Sequence, residues 1–100
     1  MKIKLVGDEW QCGREISLER FPVVLGRSAV AGVQLADRWV SHEHCRLEAI
    51  DGTLIVRDLG SKNGTLINGC YTVESPLKPG DRLSVGLSTF VVAYEPVGDA

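Results

Sequence analysis

Apolar and polar residues alternate along most of this chain. From Lys2 to Val6 the alternation sets Ile3 and Leu5 against Lys2 and Lys4, and from Glu15 to Leu18 it puts Ile16 and Leu18 in phase. A period of two sends successive side chains to opposite faces of an extended chain, so each segment predicts a half-buried strand. Val23-Val24-Leu25, between Pro22 and Gly26, is a short apolar run and predicts a buried strand. His44 to Ile50 places Cys45, Leu47 and Ala49 on one side and His44, Arg46 and Glu48 on the other. Asp51-Gly52 then turns the chain into Thr53 to Arg57, and Asn68-Gly69 joins Thr65-Leu66-Ile67 to Cys70-Tyr71. Both dipeptides suit the positive torsions of a tight hairpin. Pro76, Pro79 and Gly80 break the chain before Asp81 to Val85, and Gly86-Leu87 turns it into Ser88 to Tyr94, with Phe90, Val92 and Tyr94 in phase.

No apolar period of helical type persists long enough for a helix. Many short strands at regular spacing predict an all-β antiparallel sandwich or barrel. The chain has no repeats or linkers, so residues 1–95 are expected to form one domain, with a short frayed tail over 96–100.

Composition narrows the functional classes. One hundred residues suffice for a core that needs no metal or disulfide. Eleven Lys and Arg against 13 Asp and Glu give a net charge of -2, so no global field draws nucleic acid or an anionic membrane, and an anion must be caught locally. No apolar run approaches the length of a membrane span, and the segment after Met1 is broken at Gly7-Asp8-Glu9 before a secretory core forms. A cytoplasmic setting is expected. Cys12, Cys45 and Cys70 are odd in number and unpatterned, fitting neither a disulfide framework nor a zinc site, and are expected to be buried free thiols.

The candidate chemistry lies in loops. Asp58 to Thr65 is polar and punctuated by Gly60 and Gly64, which permit positive torsions, so its peptide N–H groups can converge on an anion. Arg27 leaves the end of a buried strand after Gly26 and can present a two-pronged fork to a phosphate, or sit on the surface satisfied by water. Ser41 offers a hydroxyl as anion donor or as turn brace. His44, at a strand entrance, can donate a ring N–H to a backbone carbonyl. A metal would instead recruit His42, His44 and Cys45, but no second ligand pair of zinc-like spacing accompanies them. Lys62 adds a mobile charge beside Asn63, whose amide can bond a ligand main chain or simply form an Asn-Gly turn.

Catalysis has little support. Ser41, His44 and Asp58 supply the residue types of a hydrolase, yet Ser41 lacks the strained Gly-x-Ser-x-Gly elbow, and no nucleotide-binding glycine loop exists.

Leu25-Gly26-Arg27, Val40-Ser41-His42-Glu43-His44, Asp58-Leu59-Gly60-Ser61-Lys62-Asn63-Gly64-Thr65 and Asn68-Gly69, in that order and spacing, resemble the forkhead-associated (FHA) domain from about Val23 to Tyr94. The resemblance implies an 11-stranded antiparallel β-sandwich whose loops recognise phosphothreonine in a partner protein. It implies a signalling module without catalysis, cofactor, metal or small-molecule substrate. By that resemblance Arg27 and Ser41 grip the phosphate, Lys62 lies beside it, and Asn63 holds the adjacent peptide backbone. Gly26, His44, Gly64 and Asn68 shape the loops. His42 departs from the arginine or asparagine often found in the family; imidazoles titrate in the physiological range, so affinity there is expected to respond to pH. Trp39 either favours an apolar ligand residue C-terminal to the phosphothreonine or anchors its loop on the core. The rival expectation is an FHA-like scaffold used for phosphate-independent assembly through a sheet face or an edge strand.

Overall fold

Strands with one apolar face each need a second layer to cover it, and here two sheets supply it for one another. The computed structural model describes residues 1–8 and 14–96. Eleven strands follow in order: β1 (Lys2–Gly7), β2 (Glu15–Leu18), β3 (Val23–Gly26), β4 (Val33–Gln34), β5 (Cys45–Ile50), β6 (Thr53–Asp58), β7 (Thr65–Ile67), β8 (Cys70–Thr72), β9 (Glu74–Leu77), β10 (Arg82–Val85) and β11 (Ser88–Glu95). They form a six-stranded sheet, β2-β1-β11-β10-β7-β8, and a five-stranded sheet, β4-β3-β5-β6-β9. No helix occurs among the described residues, and so none long and apolar enough to cross a membrane.

The inward phase of each strand fills the space between the sheets. Ile3 and Leu5 of β1, Leu83 and Val85 of β10, and Phe90 and Val92 of β11 meet Leu25, Leu47, Leu54, Val56 and Leu77 of the facing sheet, all buried. Tyr94 ties the layers with its hydroxyl, which accepts the Leu54 N–H at 2.8 Å and donates to the Leu77 carbonyl. Both expected hairpins turn through positive φ at two successive residues, Asp51 and Gly52 (50° and 76°) and Asn68 and Gly69 (52° and 82°).

Three details depart from the expectation. β3 and β4 pair in parallel, Leu25 with Val33 and Gly26 with Gln34: a turn closed by the Ala31 N–H on the Ser28 carbonyl brings Gly32 back beside Val23 and Val24, and the chain reverses again there into β4. β9 contains Pro76, which reads as a breaker in the sequence; it lies at the sheet edge, where a missing N–H is tolerated. Cys45 is buried as expected, but Cys70 is exposed on edge strand β8, and Cys12 lies outside the described residues.

β1 pairs along its length with β11, from Lys2 opposite Glu95 to Gly7 opposite Phe90. The β3–β4, β4–β5 and β6–β7 loops gather at one end of the sandwich and carry the candidate site.

Candidate functional site

The β4–β5 loop is fastened first. Arg27 N–H donates to the Ser41 carbonyl at 2.9 Å and Ser28 N–H to that of His42 at 3.2 Å, so the loop lies against the exit of β3. That approach requires glycine at 26: a methyl group there would overlap the His42 carbonyl oxygen. Asp37 holds the other side, its carboxylate accepting from the Trp39 and Leu87 N–H groups at 2.9 and 2.8 Å and from the Ser88 hydroxyl at 2.8 Å.

His44 joins this loop to the next. It is fully buried, its Nδ1 accepting the Ser41 N–H at 3.1 Å and its Nε2 lying 2.8 Å from the Gly64 carbonyl. A ring nitrogen that accepts on one side leaves the proton on the other, so the arrangement assigns a neutral imidazole protonated at Nε2.

The β6–β7 loop corrects one expectation. Its amides do converge on an anion, but the anion is the protein's own. Asp58 accepts the N–H groups of Gly60 and Ser61, each at 3.0 Å, the Ser61 hydroxyl, and the Thr65 hydroxyl at 2.7 Å. Positive φ at Gly60 and Gly64 (74° and 86°) wraps the loop back to make this possible. Burial pushes the Asp58 carboxyl upward, but hydrogen bonds from Ser61, Thr65 and Gly60 outweigh it and hold the group below the usual carboxylate range. Gly64 N–H goes to the Ser61 hydroxyl at 3.0 Å, and the Tyr71 ring lies against Gly64 where a Cβ would stand.

The two loops then meet. Lys62 N–H donates to the Ser41 hydroxyl oxygen at 2.9 Å, and the Asn63 side-chain amide donates to the Trp39 carbonyl at 2.8 Å. Between them opens a shallow concavity of about 250 Å³ lined by Arg27, Ser41, His42, Lys62 and Asn63, with Trp39 and Arg38 at its wall. Arg27 Nε is anchored on the Val40 carbonyl at 3.0 Å, and its Nη2 stands 3.5 Å from His42 Nε2, a long contact in which only arginine can donate. Because the Ser41 oxygen accepts from Lys62, its own proton is left to donate outward. Trp39 is 49% exposed, so its ring stands at the rim instead of packing into the core. A larger groove of about 580 Å³ adjoins across Arg38 and Trp39, but Leu35, Ala36 and Leu87 line much of it, and the polar donors concentrate in the smaller concavity.

The five binding candidates and Trp39 thus come together, with Gly26, His44 and Gly64 directly behind them. Asn68 does not join them. It sits at the far end of β7, where its side chain donates to Asp81 at 3.0 Å and accepts the Arg82 N–H at 2.9 Å. Serine, histidine and aspartate do not form a nucleophilic relay either: the His44 ring meets the Ser41 amide, not its hydroxyl, and Asp58 is occupied by its own loop. Among the described residues no group of three or more His, Cys, Asp or Glu is placed to hold a metal. Sequence reasoning missed Arg38, whose only signal was a second basic residue beside Trp39.

A family model described as the FHA domain matches residues 23–86. The chain is 31% identical over 80 residues to the FHA domain-containing protein FhaA of Mycobacterium tuberculosis, covering 80% of this chain and 15% of that protein. It is 32% identical over 84 residues to the oxoglutarate dehydrogenase inhibitor of Corynebacterium diphtheriae, covering 84% and 59%. The chain therefore spans less than two thirds of either relative. A solved structure from work on phosphothreonine-dependent FHA domain interactions superposes with a TM-score of 0.87 at 29% identity, covering 97% of this chain and 100% of that one. Since the matched segment runs from β3 through β10 and includes every loop that builds the concavity, the chain belongs to the FHA domain family.

Proposed function

We propose that this domain, taken as residues 1–95, binds phosphothreonine in a partner protein and so makes a protein–protein interaction depend on phosphorylation. One observation carries the reading: the concavity unites the anchored Arg27 guanidinium, the outward-donating Ser41 hydroxyl and the Lys62 ammonium, with Asn63 at its edge. A phosphate is strongly hydrated, and a shallow site must replace that water with charge-assisted hydrogen bonds. Arg27 and Ser41 grip the phosphate, and Lys62 adds charge. Asn63 keeps its carbonyl oxygen and one N–H for the peptide main chain after donating to Trp39. The similar structure named for phosphothreonine-dependent interactions supports the ligand class. Binding, not catalysis, is the activity assigned. The free thiols of Cys45 and Cys70 fit a reducing, cytoplasmic setting.

Calorimetry with a phosphothreonine peptide and its unphosphorylated and phosphoserine counterparts tests the reading. Only the phosphorylated peptides are expected to bind, threonine more tightly than serine, and Arg27→Ala is expected to cost about 2 to 4 kcal/mol. Equal binding of the unphosphorylated peptide, or near wild-type affinity in Arg27→Ala, would overturn it in favour of phosphate-independent assembly.

A further inference from the structure

An exposed aromatic ring stands behind Asn63, outside the concavity. Tyr71 is 76% exposed on edge strand β8, belongs to no part of the core, and does not line the concavity. Its ring lies on Gly64, where a Cβ would stand 2.5 and 2.6 Å from Cε1 and Cδ1. The register explains the reach. Tyr71 pairs with Leu66, so Gly64 is its diagonal neighbour two residues back, a distance that aromatic side chains span. The Tyr71 hydroxyl makes no hydrogen bond among the described residues, which leaves the ring to carry the contact.

Gly64 is held from two sides. Its φ of 86° is one that glycine adopts readily, but glycine also has the most conformational freedom to lose. From within, its N–H is tied to the Ser61 hydroxyl at 3.0 Å and its carbonyl to His44 Nε2 at 2.8 Å. On the side where a side chain would point, the three nearest atoms all belong to the Tyr71 ring. A ring laid over a glycine from the neighbouring strand supplies the packing that the missing side chain cannot. Any shift at Gly64 is passed to Asn63, whose side-chain amide is fixed on the Trp39 carbonyl at 2.8 Å.

We propose, building on the phosphothreonine reading, that Tyr71 is a positioning residue for phosphopeptide binding. Its ring clamps Gly64 and so keeps Asn63 placed to bond the peptide main chain, without touching the ligand.

Fluorescence anisotropy with a labelled phosphothreonine peptide and its unphosphorylated parent tests this as a double-mutant cycle. Tyr71→Thr removes the ring and keeps a residue suited to a strand. It is expected to weaken phosphopeptide binding about three- to fivefold, the upper reach of a cross-strand aromatic contact, and to speed amide exchange at Gly64. Tyr71→Phe keeps the ring and is expected to bind as the wild type does. Lower global stability cannot imitate this pattern, because a domain whose folding constant falls a few-fold is still almost wholly folded. In an Asn63→Ala background the loss from Tyr71→Thr is expected to vanish, since the two residues act as one unit. Wild-type affinity or unchanged Gly64 exchange in Tyr71→Thr overturns the proposal, as does an equal loss in Tyr71→Phe or an undiminished loss in Asn63→Ala. A wild type that fails to distinguish the phosphopeptide from its unphosphorylated parent overturns the phosphothreonine reading itself, and this proposal with it.

Discussion

Replacing His44 with phenylalanine removes two hydrogen bonds without leaving a cavity, since the phenyl ring is somewhat larger than imidazole. The Ser41 N–H loses its acceptor at 3.1 Å and the Gly64 carbonyl its donor at 2.8 Å. A backbone group orphaned in the interior costs about 1 to 3 kcal/mol. Ser41 and Gly64 are each only partly buried, so water relieves part of that cost and the low end of the range, about 1 to 1.5 kcal/mol for each group, applies. The sum is about 2 to 3 kcal/mol. With a urea slope of about 1.5 kcal/mol per molar for a domain of this size, the unfolding midpoint is expected to drop by about 1.3 to 2 M. Amide exchange at Ser41 supplies a local readout, because that N–H should lose protection beyond what the drop in global stability explains. Phosphopeptide affinity should fall as well, since the same ring spaces the loop holding Ser41 from the loop holding Asn63. A midpoint within about 0.3 M of wild type, with Ser41 exchange unchanged relative to its neighbours, would refute the account of His44 as the tie between the two loops.

Other outcomes follow from the same geometry. Asp58→Asn should destabilise the fold by about 1 to 2 kcal/mol at neutral pH by turning an amide toward the loop's donors. The folded-state carboxyl titrates below its unfolded value of about 3.9, so its contribution is present above that pH and lost as pH falls through the lowered value. Urea melts of wild type and Asp58→Asn should therefore converge in acid, and a constant difference from neutral to acidic pH would count against this. Burial first, and then the charge of Asp58, pushes the Cys45 thiol up to about 12, so it stays protonated and unreactive near neutral pH while exposed Cys70 alkylates. Stability should decline as pH rises past the ordinary thiol range of about 8.5, where the unfolded chain ionises and the folded one resists; mass mapping after alkylation, with equal labelling of Cys45 and Cys70 in the native protein, would contradict the burial. Gly26→Ala should cost about 1 to 3 kcal/mol of stability and at least tenfold in phosphopeptide affinity, because backbone and not a pliable side chain meets the new methyl group; an unaltered titration would show that the β4–β5 loop shifts freely.

What was legible in the sequence was local. Alternation in Lys2 to Val6 or Thr53 to Arg57 reports one strand's two faces, and Asp51-Gly52 and Asn68-Gly69 carry their turn geometry in their own torsional freedom. β4 is two residues long and too short to show a period, while β9 was hidden by Pro76, acceptable only because the strand lies at an edge. At the site, the motif residues announced themselves by type, but their partners did not. Asp37 meets Ser88 and Asn63 meets Trp39 across separations of 51 and 24 residues, which only the folded chain brings together. Asp58 shows the same limit more sharply. Glycines and amides in its loop correctly signalled an anion, but nothing in their order could say that the anion was supplied from within.

The pairing of Lys2 with Glu95 also fixes how the domain meets whatever is attached to it. The entering and leaving ends of the sandwich run side by side, while the loops of the site lie beyond the start of β11 at Ser88, about 23 Å away at the usual rise per residue. Sequence joined at either end therefore departs from the end of the sandwich opposite the concavity. The domain can be spliced into a longer polypeptide as a knob on a two-strand stem, its grip pointing away from the attachment. A pull applied through both ends would peel β1 from β11 bond by bond, starting at the stem, before the force reached the residues that line the concavity.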